Sequence, residues 1–174
     1  MGPLVDIRDL KVEATTDAGR RVEIIRGVSF EIAPGEIVAL IGESGSGKTT
    51  IALTLLGYTR TGCRITGGSV RVDGRDMAAL SEKERAKVRG VAVSYVPQSA
   101  AAAFNPAQRI MDQVIEITRI HELMPRAQAE AKAIDLFRAL SLPSPETIGG
   151  RYPHQVSGGQ LQRLSAAMAL IGDP

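Results

Sequence analysis

Aromatic residues are scarce in this chain: three phenylalanines, three tyrosines and no tryptophan. There is one cysteine, Cys63. A lone thiol excludes an intrachain disulfide and points to a reducing compartment. No apolar run approaches the roughly 20 residues needed to cross a bilayer, and the first residues lack the basic and apolar pattern of a secretory signal. Charge of one sign is also missing. A formal net charge of +2 supplies no electrostatic ground for a nucleic-acid partner. The expectation is a soluble, cytoplasmic protein whose link to a membrane runs through a partner.

The length of 174 residues, 44% of them hydrophobic, is that of one domain with a sizeable core. Its chemistry is concentrated in Gly42, Glu43, Ser44, Gly45, Ser46, Gly47, Lys48 and Thr49. These fit the pattern G-x-x-x-x-G-K-[ST] at every fixed position. The apolar run 36–41 before them reads as a buried strand, and residues 49–56 after them read as a helix. Strand, glycine loop and helix form the context that a phosphate-binding loop requires. Glycines let the backbone turn sharply and approach a ligand. Successive N–H groups make an anion nest, and the helix adds its positive dipole end. Lys48 reaches the β- and γ-phosphates, the Thr49 hydroxyl ligates Mg²⁺, and Thr50 continues the cradle.

The rest of the chain divides by pattern. Residues 4–14, 22–25 and 28–32 read as strands, with turns at 15–19 and 33–35. Residues 66–74 form a strand closed by an Asp-Gly turn. Ser81 and Glu84 have capping-box spacing for a polar helix. Residues 91–96 read as a second buried strand that ends at Gln98. Beyond it the chain turns helical, with helices expected over 110–120 and 125–140. In the second of these, Ala127, Ala131, Ile134, Phe137 and Leu140 stand at helical spacing as core. Residues 142–145 form a stiff linker.

Val156, Ser157, Gly158, Gly159 and Gln160 precede another helical stretch, 161–170. A hydroxyl and two glycines at a helix N-terminus make a second anion site by the same dipole logic. Together the two motifs resemble the ATPase subunit of ATP-binding cassette (ABC) transporters. Tyr152, Pro153 and His154 before the second motif look like the oligopeptide, dipeptide and nickel importer branch. So do Gln162 and Arg163 within it, and Phe104, Asn105 and Pro106. The resemblance implies an α/β P-loop fold with an N-terminal antiparallel β part and a helical subdomain. Residues 1–98 would form the nucleotide-binding core, 99–157 the helical subdomain, and 158–174 a signature helix returning to the core. It implies ATP and Mg²⁺ as ligands. Lys48, Thr49 and Gln98 would act in cis, with Gln98 touching the metal and the attacking water. Ser157, Gly158, Gly159 and Gln160 would serve the nucleotide of a second ATPase subunit, identical or paralogous. The implied partners are permease subunits docking on 99–124 and, indirectly, a solute-binding protein. The implied place is the cytoplasmic face of the plasma membrane.

The sequence departs from the family in two ways. Residues 10–14 hold no aromatic ring, where the family stacks one on adenine. Residues 169–174 are followed by none of the family's metal-binding aspartate, glutamate base or switch histidine. His121 and His154 match none of these, and Asp173 is not the missing carboxylate. The expectation is the first part of a longer ATPase, with the 174 residues alone lacking the groups for hydrolysis. Alternatives are a nucleotide-binding module without turnover, or a cassette ATPase of chromosome maintenance or repair. The latter carries a long coiled coil between the motifs, and no sustained heptads occur here.

Overall fold

The computed structural model describes residues 2–174. They form two compact units, divided between residues 89 and 90.

The first unit is built on a four-stranded sheet in the order β2-β1-β3-β4, antiparallel throughout. β1 (Val5–Thr15) lies between β2 (Arg21–Ile32) and β3 (Cys63–Val72), and β4 is Arg75–Asp76. The apolar side chains of β1 run Val5, Ile7, then Leu10, Val12, all buried. The jump from 7 to 10 breaks the period of two. It is taken up at Asp9, whose φ is +43° and whose N–H donates to Ser29 Oγ at 2.8 Å. This bulge keeps Leu10 on the apolar face. It also brings the backbone of β1 against β3 so closely that a Cβ on Gly68 would lie 2.3 Å from Arg8 O.

β2 joins into one strand what the pattern divides in two. Asp73 and Gly74 both have positive φ, 49° and 73°, and close the β3–β4 hairpin with Val72 opposite Arg75. That is the turn the Asp-Gly pair specifies. α2 (Glu82–Val88) starts on the expected capping box: Ser81 N–H donates to Glu84 Oε2 at 2.8 Å, and Glu84 N–H to Ser81 Oγ at 3.4 Å.

Two expected strands are corrected. Residues 36–41 form no strand and are unpaired, with Ile37 97% and Ile41 94% exposed. Residues 91–96 form a turn, closed by Gly90 N–H donating to Val93 O at 2.8 Å, and then an irregular stretch in which Tyr95 and Val96 are exposed. Both runs have the uninterrupted apolar pattern of a strand buried on two faces. A strand, however, exists only through a neighbour's ladder of hydrogen bonds. None of the four described strands pairs with either run.

The second unit is helical. α3 (Ile110–Val114) and α4 (Glu116–Ile120) occupy the stretch expected as one helix. The break falls at Ile115 (φ −89°, ψ 0°), whose carbonyl accepts from both the hydroxyl and the N–H of Thr118. The β-branched residues Ile115, Ile117, Thr118 and Ile120 weaken helix continuity there. α5 (Arg126–Ala139) buries Ala129, Ala133 and Phe137, while Ala127 and Ala131 face solvent. The expected stripe is thus corrected at Ala127 and Ala131; Phe137 is buried, Leu140 packs against the same cluster from its edge, and Ile134 is half-buried. Alanines occur all round this helix, so the sequence does not pick its inner face; packing against α3 and α7 (Gly158–Leu170) does. Phe137 meets Ile110, Ile148, Leu161 and Leu164 in one apolar cluster.

Gln113, 6% exposed, ties the approach to α3. Its Oε1 accepts from Asn105 N–H at 2.7 Å, and its Nε2 donates to the carbonyls of Asn105 and Gln108, both at 3.0 Å. Phe104 is buried beside it.

Replacing Phe137 by Ala should remove about 3–5 kcal/mol of stability, read as a lower urea midpoint in the near-UV signal.

Candidate functional site

In the first unit, β2 ends in a turn where Glu36 Oε2 accepts from Ala33 N–H at 2.8 Å. The exposed run 37–41 then delivers the chain to the glycine loop. Gly45 and Gly47 sit at φ +86° and +90°, in the left-handed region open to glycine. At Gly47 a second constraint applies. A Cβ there would lie 2.4 Å from Ile25 Cδ1 and 3.4 Å from Ile24 O. The back of the loop therefore leans directly on β2.

α1 (Lys48–Thr54) begins at Gly47 with no side-chain cap and no acidic residue in its first turn. Its leading N–H groups have no intrahelical acceptor, and the positive dipole end is not offset by a carboxylate. The Lys48 ammonium lies across the loop. It donates to Gly42 O at 2.8 Å, Glu43 O at 2.6 Å and Ser46 Oγ at 3.2 Å. An ammonium has three donors, and here three loop oxygens take them. A phosphate group arriving over the N–H groups would meet this cation already fixed in place. Thr49 is exposed and Thr50 half-buried at the same helix start. Of the expected strand-loop-helix context, the loop and helix form.

The second motif lies in the second unit and opens α7. Ser157 Oγ accepts from Gln160 N–H at 3.3 Å, and Ser157 N–H donates to Gln160 Oε1 at 2.9 Å. Ser157 and Gln160 are thus the two halves of a capping box. Gly158 and Gly159 face open space: a Cβ on either would meet nothing within 4 Å. The contrast with α2 is electrostatic. There the box is completed by Glu84, whose carboxyl Ser81, through its hydroxyl and backbone, holds below its usual range. In α7 the same geometry is completed by a neutral amide. The cap therefore puts no negative charge beside the exposed glycines and the Ser157 hydroxyl.

Gln98 is exposed in the stretch entering the helical unit. The preceding carbonyl, Pro97 O, accepts from Gln162 Nε2 at 3.3 Å, so the second turn of α7 anchors that segment. Arg163 donates to Gly159 O at 3.3 Å, to Leu140 O at 3.2 Å and to Ser141 O, joining the end of α5 to the start of α7. The anchoring by Gln162 and Arg163 is absent from the sequence reading, because it depends on which carbonyls the fold brings near. The second unit also holds a cavity of about 930 Å³, lined by Arg109, Asp112, Ile115, Arg119 and Met124 of the expected docking stretch and by Tyr152 outside it, among others. The Arg109 guanidinium lies 6.0 Å from the Tyr152 ring centre, and Tyr152 stacks on His154 at 5.7 Å.

A glycine loop with its lysine drawn across an uncapped helix start, carried by a β sheet, defines a P-loop nucleotide-binding fold. Residues 25–174 match the family model described as ABC transporter, and the chain belongs to that family. It is 34% identical over 175 residues to the oligopeptide transport ATP-binding protein OppD of Mycobacterium tuberculosis, covering 100% of this chain and 28% of that protein. It is 33% identical over 178 residues to OppD of Bacillus subtilis, covering 98% of this chain and 48% of that one. The chain thus spans half or less of these two relatives. Among solved structures, MJ0796, a bacterial ABC transporter cassette solved as a dimer, superimposes with a TM-score of 0.82 at 22% identity. The match covers 98% of this chain and 70% of that one, and it establishes the fold.

Ser157→Ala should cost about 1 kcal/mol through loss of the α7 cap, measured by urea unfolding. Ser157→Asp, which also caps, should restore it.

Proposed function

We propose that this chain is the nucleotide-binding part of an ATP-hydrolysing subunit that energises an importer of peptides or similar small solutes. The observation that carries the proposal is the Lys48 ammonium gathered by loop oxygens over the uncapped start of α1. The names of the relatives, oligopeptide transport ATP-binding proteins, support the choice of solute. Residues 1–98 would carry the nucleotide-binding core, 99–157 the helical subdomain, and 158–174 the signature helix.

In this proposal Gly42, Glu43, Ser44, Gly45, Ser46, Gly47 and Thr50 wrap the triphosphate with their backbone N–H groups. Lys48 neutralises its outer phosphates. The described residues hold no cluster of three or more His, Cys, Asp or Glu able to bind a metal, so the nucleotide's own phosphates would bring Mg²⁺ in. Thr49 and Gln98 would complete its shell, and the ion would screen the charge of the triphosphate. Ser157 and Gly159, with Gly158 and Gln160, would serve the nucleotide of a second ATPase subunit. Ser157 is suited to that role: one lone pair of its hydroxyl accepts from Gln160 N–H, and its O–H proton remains to donate outward. No helix among the described residues is long and apolar enough to cross a membrane. In this proposal a separate permease carries the solute, with the 99–124 stretch and its cavity as the docking place at the cytoplasmic face of the membrane.

Calorimetric titration with Mg-ATP should show binding that Lys48→Ala weakens at least about 100-fold. Equal binding by the variant would overturn the assignment. Gln160→Glu should hold stability within about 0.5 kcal/mol, since a carboxylate also completes the cap. It should nevertheless weaken ATP-dependent association of two subunits at least about tenfold by placing a negative charge beside the phosphates. Sedimentation velocity with and without nucleotide reads that difference.

A further inference from the structure

Charges of both signs line the cavity of the second unit in equal number: Arg109, Arg119 and Arg126 against Asp112, Glu116 and Glu122. Most of them are matched within the wall. Arg126 bonds Asp112 at 2.7 Å, and Arg119 lies 3.6 Å from Glu116. Arg109 and Glu122 are left over. Among the described residues Arg109 meets the face of Tyr152, 6.0 Å from guanidinium to ring centre, and no carboxylate. The Glu122 carboxylate has no cation and no hydrogen-bond donor among them.

Neither charge serves its own helix. Arg109 is the N-cap of α3, and Glu122 follows the C-cap of α4 at φ +52°. A helix start disfavours a cation and a helix end disfavours an anion, and a left-handed φ disfavours a glutamate. Residues that break local rules without a compensating partner are expected at functional positions. The rest of the lining includes apolar surface: Ile115 is 5% exposed, and Leu123 and Met124 border the same space. A volume of about 930 Å³ is that of a site for a small organic molecule.

We infer that this cavity binds a short peptide with free termini, its carboxylate on Arg109 and its ammonium on Glu122. The inference rests on the reading of the transported solute as a peptide. A guanidinium takes a carboxylate through two parallel N–H bonds, and an ammonium supplies donors to a glutamate that can only accept. The apolar lining takes the peptide's side chains without requiring particular ones. The helical path from Arg109 to Glu122 is about 20 Å at the α-helical rise. An extended peptide of about three or four residues covers roughly 10–14 Å, and the two long side chains reach the rest. A single amino acid carries both charges on one carbon and would not bridge the pair. A peptide in the cavity and a permease on the same stretch exclude each other, so accumulated solute would oppose docking and slow its own uptake.

The test is calorimetry on the full chain with the tripeptide Ala-Leu-Ala in four forms: free, N-acetylated, C-amidated and blocked at both ends. Free leucine is the fifth ligand, and the proteins are wild type, Arg109→Gln and Glu122→Gln. The free tripeptide should bind wild type, and either block, or shortening to leucine, should weaken binding at least about tenfold. Arg109→Gln should weaken the free tripeptide about tenfold and make C-amidation inconsequential. Glu122→Gln should do the same for N-acetylation. The doubly blocked form bound by wild type as tightly as the free one would overturn the inference and leave an apolar groove for a segment of a larger partner. No heat from the free tripeptide at about 5 mM would also overturn it, as would a penalty for amidation that persists in Arg109→Gln. Mg-ATP titrated into the same samples separates this site from the ATPase reading. Mg-ATP bound without the peptide overturns the peptide site alone. Peptide bound without Mg-ATP supports the site and overturns the ATPase reading.

Discussion

The first N–H groups of an α-helix have no acceptor within the helix and must find one elsewhere. This protein meets that requirement in opposite ways at its two motifs. α1 begins on Gly47, which has no side chain to offer, so its donors stay open to an outside anion. α7 begins on Ser157, which binds Gln160 reciprocally and secures its own helix. The first end has no side-chain cap; the second is self-sufficient and presents glycines and a hydroxyl with no charge beside them. Both depend on residue choices at single positions: glycine at 47, and an amide in place of a carboxylate at 160.

Close approach of backbone to backbone sets the rest. Gly47 lets the loop rest on β2, so that the glycine loop is carried by the hairpin of β1 and β2. The bulge at Asp9 keeps Leu10 and Val12 buried beneath it. That apolar face continues past the loop to Ala14 and Val22. In the helical unit, buried Gln113 and the carbonyls taken by Gln162 and Arg163 hold loop segments in place between short helices.

Local codes in this sequence are legible because their partners are near in the chain. The Asp73-Gly74 turn, the Ser81–Glu84 box and the glycine loop each involve residues within about six positions, and each forms as read. The runs 36–41 and 91–96 were legible as apolar but not as paired, because a ladder needs a neighbour that no local pattern specifies. α5 was legible as a helix with the wrong face inward, since Ala127, Ala129, Ala131 and Ala133 present similar surface on every side.

The sequence alone determined that a glycine loop with a lysine drawn across it opens a helix, and where a second helix start with a hydroxyl and two glycines lies. These follow from spacing and from the conformations that glycine permits. Only the tertiary structure decided what stands behind the cradle, which face of α5 is buried, and that Gln160 completes a neutral cap. It alone brought Pro97 to α7 and put Ala14 and Val22 on the loop's side of the sheet. Such choices are made by register and packing between segments far apart in the chain, and the free energy that selects them is that of burying one particular pair of surfaces against each other.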